Sequence, residues 1–300
     1  MTVVEELTTI VRNAATAAQT AVVTIGRRGR GTGFVVAPGK VLTNAHNLRD
    51  RTTEVRFADG RTKQATITGS DADGDLVVLD VDTGDAPVLT WSDRRVEDGD
   101  VVVAVTAGRR EPRATWGQVT AADRGFRGPR GRRIAGAIEH TAPCAAGSSG
   151  APVLDADGQV VGINTHRLEH GFYLARSADE QLRDAVAAMA EGRTIERPTL
   201  GVALAPAHVA AKLRRSVGLP ERDGLLVRGV VDDSPAAAAG IRQGDLLVCA
   251  GDRDLAHPDD LFDVLGGIEP GAELTVAIVR GADDMTVTVT FPAPAADPST

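Results

Sequence analysis

GSSGAPV, residues Gly147 to Val153, places a serine among small residues and runs directly into a short apolar segment. As local structure it reads as a tight turn feeding a buried strand, because Gly147 and Gly150 allow backbone angles and close approaches that a Cβ would block. Ser149 is then a candidate nucleophile. A serine hydroxyl attacks poorly at neutral pH, so it requires a base to take its proton and a third group to orient that base. Upstream stand His46, in VLTNAHNL, and Asp75, in DGDLVVLDV, each beside a strand-like apolar run. A serine in a glycine-rich turn is by itself only a turn residue. The histidine and aspartate ahead of it, in that order, make a catalytic reading worth carrying.

The segments around these residues are short and β-rich. From Ala21 onward, β-branched runs alternate with Gly, Asp and Pro: AVVTIG, GTGFVVAPG, VLTN, EVRF, ATITG, DLVVLDV, DVVVAV, WGQVTAA, VVGINT and FYLAR. That spacing predicts an all-β sandwich or barrel. One basic connection interrupts it: Arg124, Arg127, Arg130, Arg132 and Arg133 share DRGFRGPRGRR with three glycines and a proline, which rules out a core strand. Ahead of the strands, Val4, Leu7, Val11 and Ala14 fall at helical spacing, so 1–19 is an N-terminal helical segment that docks on its own domain or on a neighbouring subunit. Behind them, Ser177 and Glu180 form an S-x-x-E capping box, predicting a helix to about Ala190 that Gly192 ends. A polar linker over 192–197 follows, closed by Pro198. The remainder mixes strands with short helices: TLGVAL, a helix over Ala207 to Val217, GLLVRGVV, SPAAAAG, DLLVCAG, PDDLFDVLGG, ELTVAIVRG and MTVTVTF. The end, 293–300, reads as a disordered tail.

Three hundred residues suffice for two domains. With 33 basic against 41 acidic residues the formal net charge is −8, which disfavours a nucleic-acid binder. The two cysteines, Cys144 and Cys249, fall in different predicted domains, which disfavours a disulfide framework; free thiols suit a reducing compartment. The N-terminus has two early acids and no basic segment ahead of an apolar core, unlike a secretory signal. No stretch reaches the roughly 18 apolar residues of a membrane span. The sequence alone therefore predicts a cytoplasmic protein without a membrane span.

Four motifs in order, GTGFVVAPGKVLTNAH, DGDLVVLDV, GSSGAP and GQVVGINT, resemble those of the HtrA (Deg) serine proteases over about Thr20 to Asp179. The resemblance implies a mostly β, chymotrypsin-like double β-barrel protease domain, taken here as 20–191, that hydrolyses unfolded or misfolded proteins. Residue by residue, it implies Ser149 as nucleophile, His46 as general base and then acid, Asp75 as the carboxylate that orients it, and the N–H groups of Gly147 and Ser149 as the oxyanion hole. Cys144, Ala145, Ile163, Asn164 and Thr165 would wall the pocket for the residue before the cut. They bring no carboxylate, so a small or medium apolar residue is expected there. The sequence departs from the family's usual GNSGGP at Ser148 and at Ala151, which adds a Cβ behind the nucleophile, and from its usual Val at Asn47. No metal, nucleotide or other cofactor is implied. Outside this set, His140, His166 and His170 read as solvent-facing or structural, and Cys144 as a packing or pocket-wall residue. Asp71, Asp73, Asp80 and Asp82 lack the loop order of a calcium site and read as a solvated strand edge.

The stretch 198–292 resembles a PDZ domain, carried by TLGV, GLLVRGVVDDSPAAAAGIRQGDLLVCAGDRDL, the LFDVL helix and the final strand pair. In such domains an extended peptide, often a C-terminus, adds a strand between a sheet edge and a helix. The resemblance implies Thr199, Leu200, Gly201 and Val202 as the carboxylate loop, and Leu261 and Leu265 on the groove-side helix. The arginine-rich stretch 123–133 corresponds to a regulatory connection of the family, its arginines held by acids of the PDZ domain or of a neighbouring subunit, or else simply solvated. A homotrimer is the implied assembly, weakened by a chain holding only six Phe, two Trp and one Tyr. The alternative to an enzyme is a chaperone or peptide-binding scaffold with weak or latent proteolysis.

Overall fold

The short β-branched runs become strands whose alternating faces enter two different cores. In the computed structural model, which describes residues 2–292 apart from 50, 109–110, 129–132, 206, 217, 219–221 and 270, the chain forms two compact units divided between Glu196 and Arg197. The first unit holds two closed barrels. Strands β1 (Val22–Ile25), β2 (Gly31–Ala37), β3 (Lys40–Asn44), β4 (Thr52–Arg56), β5 (Thr62–Asp71) and β6 (Leu76–Asp80) close in the order β1-β2-β3-β6-β5-β4. Strands β7 (Val101–Thr106), β8 (Arg113–Arg127), β9 (Arg133–His140), β10 (Pro152–Leu154), β11 (Val160–Arg167) and β12 (Tyr173–Ser177) close in the order β10-β11-β12-β9-β8-β7.

The period of two in the strands explains the packing. In β6, Val77 and Leu79 fill the first barrel, while Leu76 and Val78 point outward into a second cluster. That cluster is shared: it takes Phe34 and Leu42 from the first barrel, Val103, Val105, Leu154 and Ile163 from the second, and Leu182, Val186 and Met189 from a helix. Because side chains from both barrels meet there, the barrels are fixed against each other by the same apolar burial that stabilises each of them.

Two helices close the seam. Helix α1 (Val3–Gln19) starts at Thr2, whose hydroxyl accepts from the Glu5 N–H while Glu5 accepts from the Thr2 N–H. It docks on its own domain through Ala14 and Ala18, both fully buried, whereas Val3 and Val4 at its start stay exposed. Helix α2 (Glu180–Ala190) ends at Gly192 (φ +99°) as expected, but its cap is Asp179, which accepts from the Leu182 N–H at 2.8 Å. Ser177 is not available for the predicted capping box, because β12 runs on through it, paired with Gly162.

The arginine-rich connection also differs from expectation. It is drawn into a long hairpin in which β8 continues to Arg127 and β9 starts at Arg133, the two ends paired residue to residue. The hairpin is not core, so the expectation fails only in its secondary structure. The Thr120 hydroxyl donates to Glu139 at 2.8 Å and Arg124 makes two hydrogen bonds to it, at 3.1 and 3.0 Å, within the same hairpin; together they hold Glu139 below the usual carboxylate range against the effect of burial. Arg130 and Arg132 lie outside the described residues.

The second unit is an antiparallel sheet in the order β13 (Val202–Leu204), β14 (Leu225–Val230), β15 (Leu246–Ala250), β17 (Glu273–Arg280), β18 (Asp283–Thr290), with β16 (Arg253–Asp254) paired to β15. Helices α3 (Ala207–Ser216), α4 (Pro235–Ala238) and α5 (Pro258–Gly266) lie among these strands in the chain. Ser234 caps α4 by accepting from the Ala237 N–H, and Gly240 (φ +76°) follows its end. Val217 and the stretch 293–300 lie outside the described residues.

Candidate active site

Ser149 lies in the second of two consecutive tight turns, and each turn needs a glycine. The Ser148 N–H donates to the Ala145 carbonyl and the Ala151 N–H to the Ser148 carbonyl, with Gly147 (φ +88°) and Gly150 (φ +85°) at the third position of each turn. A Cβ on Gly147 would stand 2.8 Å from the Gly29 carbonyl oxygen, so the β1–β2 turn packs directly on this backbone. Ala151 is fully buried, and its carbonyl accepts from the Asn164 N–H at 2.9 Å. Its extra Cβ is accommodated with Ser149 still facing the histidine. The N–H groups of Gly147 and Ser149 donate to no group among the described residues.

Ser149 Oγ lies 2.6 Å from His46 Nε2, 2.9 Å from the Thr165 carbonyl and 3.2 Å from Asn44 Oδ1. His46 Nδ1 lies 2.6 Å from Asp75 Oδ2, and the His46 N–H donates to Asp75 Oδ1 at 3.0 Å. Two carboxylate oxygens thus fix one residue at its backbone and at its ring. The Thr165 hydroxyl is a third donor to Asp75, at 3.5 Å. Asp75 is fully buried, and His46 shows a side chain 39% exposed.

How Asp75 is held was not evident in the sequence. It sits at φ +57°, a conformation disfavoured for a residue with a Cβ. The strain is offset by contacts on each side. Asp71 accepts from the Gly74 N–H at 2.8 Å, Arg176 donates to the Gly74 carbonyl at 2.6 Å, and the Asp75 carbonyl accepts from Asn44 Nδ2 at 3.0 Å and from the Ala45 N–H at 3.1 Å. Asp71 and Asp73 are 1% and 7% exposed, which corrects the reading of a solvated edge. Only the two further along, Asp80 and Asp82, face solvent, paired with Lys40 and Lys63. Among the described residues, no group of three His, Cys, Asp or Glu side chains could hold a metal ion.

Asn47 is another positioning residue. It is 3% exposed, and its Nδ2 donates to the Ser149 carbonyl at 2.9 Å and to Thr43 Oγ1 at 2.9 Å. The Thr32 N–H shares the Ser149 carbonyl at 2.9 Å, and the Thr32 hydroxyl donates to the Gly147 carbonyl at 2.8 Å. A Val at position 47 would leave one of these acceptor sites empty.

Beside Ser149 opens a cavity of about 230 Å³ lined by Cys144, Ala145, Asn164 and Thr165, and also by His166 and Tyr173. Ile163 does not line it: it points the other way, into the core between the barrels. The cavity's inner wall is neutral and hydrogen-bonded. Asn164 Oδ1 accepts from Nε2 of the fully buried His140 at 2.8 Å, while His140 Nδ1 accepts from the Ala142 N–H at 3.2 Å. Tyr173 donates to the Cys144 carbonyl at 3.1 Å. Burial pushes the Cys144 thiol up to about 11 and holds His140 below its usual value. His166 stands at the rim, its ring centroid 6.3 Å from that of His46 and 5.2 Å from that of Phe126 in the hairpin. His170 is exposed.

In the second unit, Gly201 takes φ +79° against Ser234, the Leu200 carbonyl accepts from the Ala236 N–H at 2.9 Å and the Gly201 carbonyl from the Val231 N–H at 2.8 Å. The loop from Thr199 to Val202 is thereby held at the start of β13, the terminal strand of the sheet. Leu261 and Leu265 are each 4% exposed and belong to the unit's core, while Val264 packs against it half-buried.

Residues 31–163 match the trypsin-like peptidase domain and residues 198–291 the PDZ domain. A probable periplasmic serine endoprotease, DegP-like, of Brucella suis biovar 1 is 32% identical over 279 residues, covering 87% of this chain and 52% of that protein. The mitochondrial serine protease HTRA2 of Drosophila willistoni is 29% identical over 284 residues, covering 87% and 64%. Among solved structures, the HtrA-type protease AlgW with a decapeptide superposes with a TM-score of 0.70 at 23% identity, covering 95% of this chain and 99% of that one. The same protease with a tripeptide gives a TM-score of 0.65 at 25% identity, covering 96% and 99%. The chain spans about half the length of the DegP-like relative.

These relatives overturn the cytoplasmic expectation, since the bacterial ones are named periplasmic. The thiol argument fails for a physical reason: Cys144 is buried with a raised pKa and Cys249 lies in the other unit, so neither reports on the redox state around the protein. Among the described residues, no helix is long and apolar enough to cross a membrane. With a trypsin-like peptidase domain followed by a PDZ domain, DegP-like relatives and HtrA-type structural neighbours, the chain belongs to the HtrA (Deg) family of serine proteases.

Proposed function

We propose that the chain is a serine endopeptidase of unfolded or partly unfolded proteins, acting outside the cytoplasm as its periplasmic relatives are named to do. The observation that carries this reading is the unbroken line from Ser149 Oγ to His46 Nε2 at 2.6 Å and from His46 Nδ1 to Asp75 Oδ2 at 2.6 Å. Ser149 attacks the scissile carbonyl as His46 takes its proton, and the charge that develops on the ring is stabilised by Asp75. The tetrahedral oxyanion accepts from the N–H groups of Gly147 and Ser149, a contribution worth about two to three orders of magnitude in rate per donor. His46 then returns the proton to the leaving amine, and a water molecule, activated by the same ring, frees the acyl group from Ser149.

The cavity walled by Cys144, Ala145, Asn164 and Thr165 takes the residue before the cut; Arg167 also lines it, and its size, its neutral inner wall and the absence of a carboxylate from its lining suit a small or medium apolar side chain. Thr199 to Val202 and the edge of β13 take the C-terminus of a peptide as an added strand, and a homotrimer is the proposed assembly. The test is cleavage of unfolded casein by the full chain and by Ser149→Ala, with and without a peptide ending in apolar residues. Cleavage and fluorophosphonate labelling that disappear in the variant support the reading. A wild-type protein that neither cleaves nor labels refutes it.

A further inference from the structure

The formal net charge is −8, yet the surface beside the nucleophile on the first barrel is strongly basic. The β1–β2 turn reads Gly26-Arg27-Arg28-Gly29-Arg30, and Arg49 follows three residues after His46. The turn is well fixed: the Gly29 N–H donates to the Gly26 carbonyl at 2.9 Å, the Arg30 N–H to the Ile25 carbonyl at 3.0 Å, and the Gly26 N–H to the Glu54 carbonyl at 2.7 Å. Arg27, Arg30, Asn47 and Arg49 line one cleft of about 330 Å³, with Glu54 the one acidic residue among the described residues that line it. Arg27 and Arg28 with Arg56 line a second of about 330 Å³. Arg27 pairs with Glu54 at 3.6 Å with its own side chain 88% exposed, while Arg28, Arg30 and Arg49 have no partner among the described residues.

The first of these clefts touches the nucleophile's turn through Asn47, in its wall, which donates to the Ser149 carbonyl; Gly29, which lines the second, packs on Gly147. The acyl half of a substrate lies over the cavity beside Thr165, on the second barrel. The amine half, protonated by His46, therefore leaves across the first barrel, past Asn47 and the β1–β2 turn. A cleft lined by one sign of charge focuses its field on whatever crosses it, and unpaired guanidinium groups are donors suited to carboxylates.

We propose that this cleft is a subsite for acidic residues on the C-terminal side of the cut, so that the enzyme prefers Asp or Glu within about the first three residues after the scissile bond, roughly 10 Å of extended chain. The proposal rests on the peptidase reading and adds to it a substrate class. Each exposed arginine–carboxylate contact is worth about two- to fivefold, so two or three together give about tenfold.

The experiment digests a synthetic library of random decapeptides with the full chain and with the double charge reversal R30E/R49E, and sequences the products by mass spectrometry. Fluorophosphonate labelling of the wild type, with Ser149→Ala as blank, is run beside it. Expected is an enrichment of Asp and Glu after the cut of about tenfold over the library, weakened by salt, and replaced in the reversal by enrichment of Lys and Arg. R30K/R49K, which keeps the charge, retains the acidic preference. A wild type that labels and cuts with no acidic enrichment, or with enrichment that the reversal leaves in place, overturns the cleft and leaves the peptidase standing. A wild type that neither labels nor cuts overturns both.

Discussion

The seam that holds Ser149 and the sheet edge in the second unit solve opposite problems. At the seam, Asp75, Asn44, Asn47 and Asp71 are each 3% exposed or less, and each has its hydrogen bonds made inside the protein. At the edge, β13 is three residues long, partly open to solvent, and bonded along one side to β14. Chemistry requires groups aimed before the substrate arrives, whereas a peptide that binds as a strand requires backbone left unpaired. Substitutions at the seam are therefore expected to cost rate, and those at the edge affinity.

The largest effect separates the two roles of Asp75. Asp75→Asn keeps the shape of the side chain but favours the wrong imidazole tautomer, and a loss of about 10⁴-fold in kcat is expected with substrate binding little changed. Next comes Asp71, which touches no reacting atom. Asp71→Ala frees the Gly74 N–H and loosens the turn that keeps Asp75 at φ +57°. A displacement of about 1 Å costs on the order of 10²-fold, so kcat should fall by roughly that factor, with partial recovery in Asp71→Asn. A kcat equal to wild type in Asp71→Ala would show that the turn holds its shape without the contact.

That contrast also marks what the sequence could reveal. Ser149, His46 and Asp75 each lie in a short local motif, so their chain order and glycines were enough to find them, and the barrels followed from the spacing of apolar runs. Asp71 was misread because DADGD looks solvated; it is buried beside Arg176, from a strand about a hundred residues later, an arrangement no local pattern carries. The resemblance puts Ile163, Asn164 and Thr165 together in the pocket wall, but successive side chains of a strand face opposite sides, so Ile163 enters the core between the barrels while Asn164 lines the cavity. The glycines and proline of the arginine stretch argue against a core strand, and the ladder running along β8 and β9 carries its two ends outward as strand, to Arg127 and from Arg133, without entering the core.

Smaller effects refine the comparison. Asn47→Val removes one hydrogen bond to the Ser149 carbonyl and leaves the Thr32 N–H in place. A lost hydrogen bond costs about 0.5–1.5 kcal/mol, so kcat should fall by about two- to tenfold with KM steady, and the fluorophosphonate labelling rate should fall with it. At the edge, Gly201→Ala forces a Cβ onto Ser234 at a positive φ. Peptide affinity, measured by fluorescence anisotropy with a labelled C-terminal peptide, should drop about tenfold or more, a larger change than in casein cleavage without peptide.

The last effect is on stability and concerns the floor of the cavity. His140 is buried and neutral, with Nδ1 accepting from Ala142 and Nε2 donating to Asn164, and its ring stacks on Tyr173 at 5.8 Å. Protonation would place a second N–H against the Ala142 N–H in a site where charge is poorly solvated, which is why burial lowers the pKa. The unfolded chain has no such restraint and takes up the proton near pH 6.5. Below that value it binds more protons than the native state, so stability is full above about pH 6.5 and declines as pH falls through the lowered native value. The slope contributed by this one group is at most about 1.4 kcal/mol per pH unit. Glu139 and Asp245 shift downward too, but as carboxylates they titrate at lower pH, which leaves the range just below 6.5 to the histidines. His166, at the exposed rim, is also lowered, mainly by partial burial. Urea midpoints taken between pH 7.5 and 5.5 should therefore decline less steeply in His140→Gln than in wild type. Parallel declines would mean that the imidazole is charged in the native state, and that the neutral floor assigned to the cavity is wrong.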